Sequence, residues 1–186
     1  MTTTAPDYPA LLVDQLGFHW DRQLRPRLDG LTDEEYLWEP VPGWSVRPRG
    51  QGTAQIEGGR GDWTIDWAFP QPDPAPVTTI AWRIGHLVVG VLAMRNASHF
   101  GGPPADYFSW NYAGTAKEAL AQLDEEYARW VAGVRSLGAE GLARPCGPAE
   151  GPWAQAPLAA LVLHINREVI HHGAEIALLR DLYAHR

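Results

Sequence analysis

Apolar residues recur at about one-turn spacing in four stretches of the chain, and in a fifth they alternate with polar ones. From about Asp7 to Leu28 the repeat falls on Leu11, Leu12, Leu16, Trp20 and Leu24, which predicts an amphipathic first helix. "GLTDEEYLWEP" follows, with Thr32 placed as an N-cap, Glu35 three residues on, and Pro40 as the stop. From about Pro40 to Pro76 the chain is too rich in Gly and Pro for a long helix. Within it "DWTIDWAF" sets Trp63, Ile65, Trp67 and Phe69 on one side and Thr64, Asp66 and Ala68 on the other, predicting a small hairpin or extended flap with its Trp side on the helices.

"PVTTIAWRIGHLVVGVLAMRNASHFGG" predicts a second helix from about Thr79 to Ser98, opened by a Thr cap and closed by paired glycines. It carries no charge between Ile84 and Met94 except as His86 takes up a proton, so most of its surface must be buried. "TAKEALAQLDEEYARWVAGVRSL" predicts a third helix and the run from about Pro157 to Tyr183 a fourth, with a Pro/Gly loop between them. Four long helices joined by loops predict an all-α, four-helix bundle. The whole chain, 1–186, reads as one domain with a Trp-rich insertion at about 40–76.

Composition narrows the function. The net charge of −7 and a single lysine, Lys117, leave no basic stripe for phosphate contacts, so no nucleic-acid partner is expected. The longest apolar run, "IGHLVVGVLAM", is too short to span a bilayer, and the N-terminus lacks the basic and apolar regions of a signal peptide. One cysteine, Cys146, allows no internal disulfide; a cytoplasmic protein is expected. The preference for Arg over Lys, with abundant Ala, Gly and Pro, is what GC-rich coding produces.

Against that background the fourth helix holds an anomaly. On a wheel of about 100° per residue with Glu168 at zero, Leu161 and Leu179 fall at about 20°, His172 at about 40°, Ile165 at about 60°, and Leu158 and Ile176 at about 80°. A carboxylate and an imidazole therefore share the apolar stripe, where an unpartnered carboxylate costs several kcal/mol. Residues four apart suit two ligands of one metal ion, although Glu and His at this spacing are also common on exposed faces. His86, on the uncharged second helix, is the candidate third ligand; the competing reading is a hydrogen-bonded core histidine. Gly90, one turn on, leaves room beside it for a ligand. His19, Arg83 and His171 are further candidates for a pocket wall.

The stretches "TTIAWRIGHLVVGVLAMRNASHFGG" and "LHINREVIHHGAEIALLRDLY" resemble the DinB superfamily, and in particular members with a Trp-rich insertion before the second helix. The resemblance runs over nearly the whole chain. It implies a four-helix bundle holding a divalent metal, zinc or nickel in relatives, through His86, Glu168 and His172. Many members place two histidines on the fourth helix, whereas Glu168 paired with His172 resembles the mycothiol-dependent maleylpyruvate isomerase branch. The implied function is a metal-dependent transferase or isomerase acting on a small-molecule substrate and activating a low-molecular-weight thiol, with mycothiol favoured by the GC-rich signature. The alternatives are a hydrolase using metal-bound water and a non-catalytic metal- or small-molecule-binding stress protein. A homodimer is the assembly expected.

Overall fold

The computed structural model describes residues 6–186; Met1–Ala5, which entered the reading of the N-terminus, lie outside it. The chain is predominantly helical, with one small sheet. The first long helix runs Tyr8–His19 and continues as a π-helical segment, Trp20–Leu24, and a 3₁₀ turn, Arg25–Leu28. Thr32 caps the short helix Asp33–Tyr36 by accepting from Glu35 N, as the spacing predicts. The second long helix has three parts, Ile80–His86, a π-helical Leu87–Ala93 and Met94–Phe100. Thr79 caps it through Trp82 N, and Gly101, at φ 68°, ends it in the left-handed conformation that glycine adopts at little cost. The third long helix is Ala116–Arg135 and the fourth Leu158–Ala184.

The first and second long helices each pack against the third and fourth. Val13, Leu16, Trp20, Leu24 and Leu28 are buried apolar residues of the first, with Trp20 stacked on Tyr127 of the third at 3.7 Å between ring centroids. Leu11, expected inside, is exposed; Val13, two residues on and on the opposite side of the helix, is buried. Asn96 is fully buried and donates to Glu126 Oε2 at 2.7 Å, joining the second and third helices inside the core. Among the described residues no helix is long and apolar enough to cross a membrane.

The insertion is more than a hairpin. Strands β1 (Val46–Pro48), β2 (Ile56–Gly58) and β3 (Trp63–Trp67) form an antiparallel sheet in the order β1-β3-β2, with Val46 opposite Ile65 and Ile56 opposite Trp67. The alternation in β3 is real, but its polar side does not face water. Asp66 is buried and accepts from Ser45 N, Thr53 N and Arg47 Nε at 2.9–3.0 Å, so its carboxylate organises the loops around it. Phe69, expected on the packed side, lies beyond the strand and is exposed. Ile65 Cδ1 packs 3.2 Å from where a Cβ on Gly85 would sit, and Trp82 Nε1 donates to Asp66 O at 2.8 Å. The sheet is thereby fixed onto the turn of the second helix that carries His86.

Candidate metal centre

His86 is the last residue of the α-helical first part of its helix, and the π-helical segment starts directly after it. Such segments widen the backbone and are frequent at functional sites. Its ring lies between an aromatic neighbour from its own helix and one from the loop that follows the second helix. Trp82 stacks on it at 5.2 Å between centroids, and Tyr107 Oη lies 2.6 Å from its Nδ1. Burial, then the nearness of His172, Arg83 and Arg95, pulls its pKa down to about 3, so the ring is neutral at physiological pH. When Nδ1–H donates to Tyr107 Oη, Nε2 presents a free lone pair, the form a metal ligand requires.

His172 faces His86 edge-on at 4.8 Å between ring centroids. Its Nδ1 is 2.6 Å from Glu175 Oε2, so the N–H donates to a carboxylate one turn along the same helix. Arg83 NH1 lies 3.0 Å from that oxygen and 3.2 Å from the nitrogen; the carboxylate accepts from both donors. The other ring nitrogen, Nε2, lies 3.5 Å from Glu168 Oε2. An imidazole held through one nitrogen by a carboxylate, with the other turned toward a second acidic side chain, is the arrangement that orients histidine toward a metal.

One donor atom from each of His86, Glu168 and His172 lies within 4.8 Å of the others. The three sequence candidates therefore converge from two helices, and their chemistry, two imidazoles and a carboxylate, fits a divalent transition-metal ion. His171, His172 and Glu175 also lie close together, but His171 is exposed and Glu175 is already engaged by His172 and by the Arg83 cation. The first set is the better centre.

Several expectations about this region change. The buried arc of the fourth helix also includes Val162, Asn166, Val169 and Gly173, at about 100–160° on the same wheel. Glu168 thus sits at the border of the apolar face, its side chain 25% exposed, whereas that of His172 is 11% exposed. Gly90 does not leave room for a ligand, because Tyr107 fills it: a Cβ there would lie 1.8 Å from Tyr107 Oη. Arg83 reaches the centre. His19 is buried against Gly173, with Nδ1 on Gln23 rather than on a candidate ligand. His171 is directed outward, 3.5 Å from Glu175 Oε1. Of the conspicuous tryptophans, Trp44 is buried and Trp63, Trp67 and Trp110 pack partly against the core, while Trp153 is exposed. Cys146 is buried, which raises its pKa, as does Glu150, so nothing activates it as a nucleophile.

Two residues at the centre were not singled out from sequence. Glu175 falls at about −20° on the same wheel, beside Glu168, and extending the stripe by one heptad would have found it. Tyr107 comes from the loop between the second and third helices, where no periodicity marks a residue. Neither curated proteins nor solved structures matched the chain. A family model described as the DinB superfamily matches residues 15–176, which includes all three candidate ligands and most of the chain, and the protein belongs to that superfamily.

Proposed function

We propose that this chain is a metal-dependent enzyme, a transferase or isomerase that activates a low-molecular-weight thiol such as mycothiol. The observation that carries the reading is the convergence of His86, Glu168 and His172, with the second nitrogen of each imidazole committed to Tyr107 or Glu175. The superfamily includes metal-dependent enzymes, and the packing of the four long helices on one another supports the four-helix bundle in which they hold their ion. Three protein ligands are the number that leaves coordination positions for an exchangeable partner.

A divalent ion held there, zinc or nickel, would supply Lewis acidity that favours thiolate, or hydroxide, near neutral pH. The chain's own residues do the rest. Tyr107 and Glu175 fix the tautomers and the ring planes. Trp82 and the sheet behind it keep water from the back of His86, and Arg83 balances the Glu175 charge.

Metal analysis of protein purified without a nickel column should return about one ion per chain, as one three-residue centre would hold. His172→Ala should lose that ion while its helical circular dichroism stays near the wild-type level; full occupancy in the variant would end the assignment. With cobalt in place, mycothiol should produce a sulfur-to-cobalt charge-transfer band, and Glu168→Gln should weaken it. A cobalt spectrum indifferent to mycothiol and other cellular thiols at millimolar concentration would instead favour hydrolysis by metal-bound water.

A further inference from the structure

A cavity of about 670 Å³ opens between the second long helix, the 148–153 turn and the first turns of the fourth long helix. That is ample for a small organic molecule. Leu161 and Trp153 give it apolar wall, and its cationic side chains are Arg95 and Arg167. Its one acid, Glu150, is already held, by His99 Nε2 at 2.9 Å and Arg95 NH2 at 3.4 Å.

Arg95 has donors to spare. Of the five N–H groups on a guanidinium, one NH1 hydrogen reaches Gly90 O at 2.6 Å, the approach to Glu150 is long, and Nε is buried with no partner. The remaining NH1 and NH2 hydrogens are the donors left for an oxyanion in the cavity that Arg95 lines, Nε itself being closed to solvent. The cavity also borders the candidate centre. His164, on its wall, has Nδ1 3.4 Å from Glu168 Oε1, and Arg167 Nε is 3.7 Å from the same oxygen, while His172 lies by Oε2. Glu168 is thus the partition between the cavity and the two histidines.

We propose that this cavity binds an organic carboxylate with an apolar body, its oxygens between Arg95 and Arg167. Two arginines less one glutamate leave a single positive charge, which one carboxylate matches; a doubly charged phosphate would be in excess and would face Glu150. The proposal deepens the metal-enzyme reading and rests on it in one respect: a bound cation takes up the Glu168 charge that would otherwise repel the ligand.

The test is calorimetric titration of the metal-loaded protein with 4-phenylbutyrate, its neutral amide and phenyl phosphate. The carboxylate should bind, and the amide about tenfold or more weaker, as expected for loss of a charge-assisted hydrogen bond. Arg95→Met and Arg167→Met should each weaken the carboxylate about tenfold. Arg167, with its side chain 70% exposed, keeps the test decisive if Arg95→Met does not fold. Metal-free Glu168→Gln, in which the Glu168 charge is gone, should bind the carboxylate within about threefold of the metal-loaded protein. A missing metal centre and a missing anion site therefore give different results. The proposal is overturned by no binding up to about 10 mM, a very weak affinity, by equal or tighter binding of phenyl phosphate, or by affinity that follows the metal and ignores both arginine variants.

Discussion

Gly90→Ala isolates the support of one candidate ligand from the fold. An alanine Cβ would lie 1.8 Å from Tyr107 Oη, 2.7 Å from Cζ and 3.2 Å from His86 Nδ1, where ordinary contact starts at 3.4 Å. The hydroxyl is the end of a side chain on a loop and is the part able to yield. It must retreat by about 1.6 Å, from 1.8 to 3.4 Å, which takes the 2.6 Å contact with His86 Nδ1 beyond hydrogen-bond length. Losing that bond costs about 0.5–1.5 kcal/mol, while alanine in place of glycine inside a helix returns about 0.5–1 kcal/mol. The metal-free protein should then unfold within about 1 kcal/mol of wild type. Metal affinity is another matter: removing an outer partner of a metal-bound histidine lowers it about 10–100-fold, or about 1.4–2.7 kcal/mol. Competition against a chromophoric chelator, run beside denaturant unfolding of the metal-free protein, separates the two quantities. Tyr107→Phe, which removes the hydroxyl without touching the backbone, should give the same loss. Wild-type affinity in both variants would refute the idea that Tyr107 holds His86 for the metal.

Other outcomes are expected. Glu175→Gln should lower metal affinity about tenfold by removing the charge that fixes His172, with cobalt competition as the measure; an unchanged affinity would mean that Glu175 serves Arg83 alone. Glu35→Ala strips the buried partner from Arg180, which it holds by two hydrogen bonds at 2.6 and 2.9 Å, and should cost about 3 kcal/mol and roughly 6–12 °C in Tm. Burial raises the phenols of Tyr36 and Tyr112 above their ordinary value of 10.0, so the neutral forms are favoured in the fold; the stability they protect is complete below about pH 10 and is lost as pH climbs beyond it. Absorbance at the phenolate band should therefore show both ionising only with unfolding; early titration of two buried tyrosines in folded protein would contradict their burial. Duplex DNA should not be bound at physiological salt, since the chain is acidic; submicromolar, salt-sensitive binding in a gel shift would overturn this.

The helices and their ends were legible in the sequence because they rest on local chemistry. Thr32 and Thr79 cap the helices that follow them, and Gly101 ends the second, through contacts no more than six residues apart. The proposed donor pair Glu168 and His172 was legible for the same reason, since a helix brings residues four apart together whatever surrounds it. His86 could be named as a third donor, but only tertiary packing brings the second and fourth long helices close enough for the three to meet. The tertiary structure also decided what fills the space around them. Tyr107 occupies the gap at Gly90, Asp66 turns inward under the insertion, and Arg95 with Arg167 borders one cavity although they stand on different helices. A periodic pattern reports which face of an element avoids water, but not which distant side chain covers it. That choice is made by volume, hydrogen-bond satisfaction and charge when the elements pack.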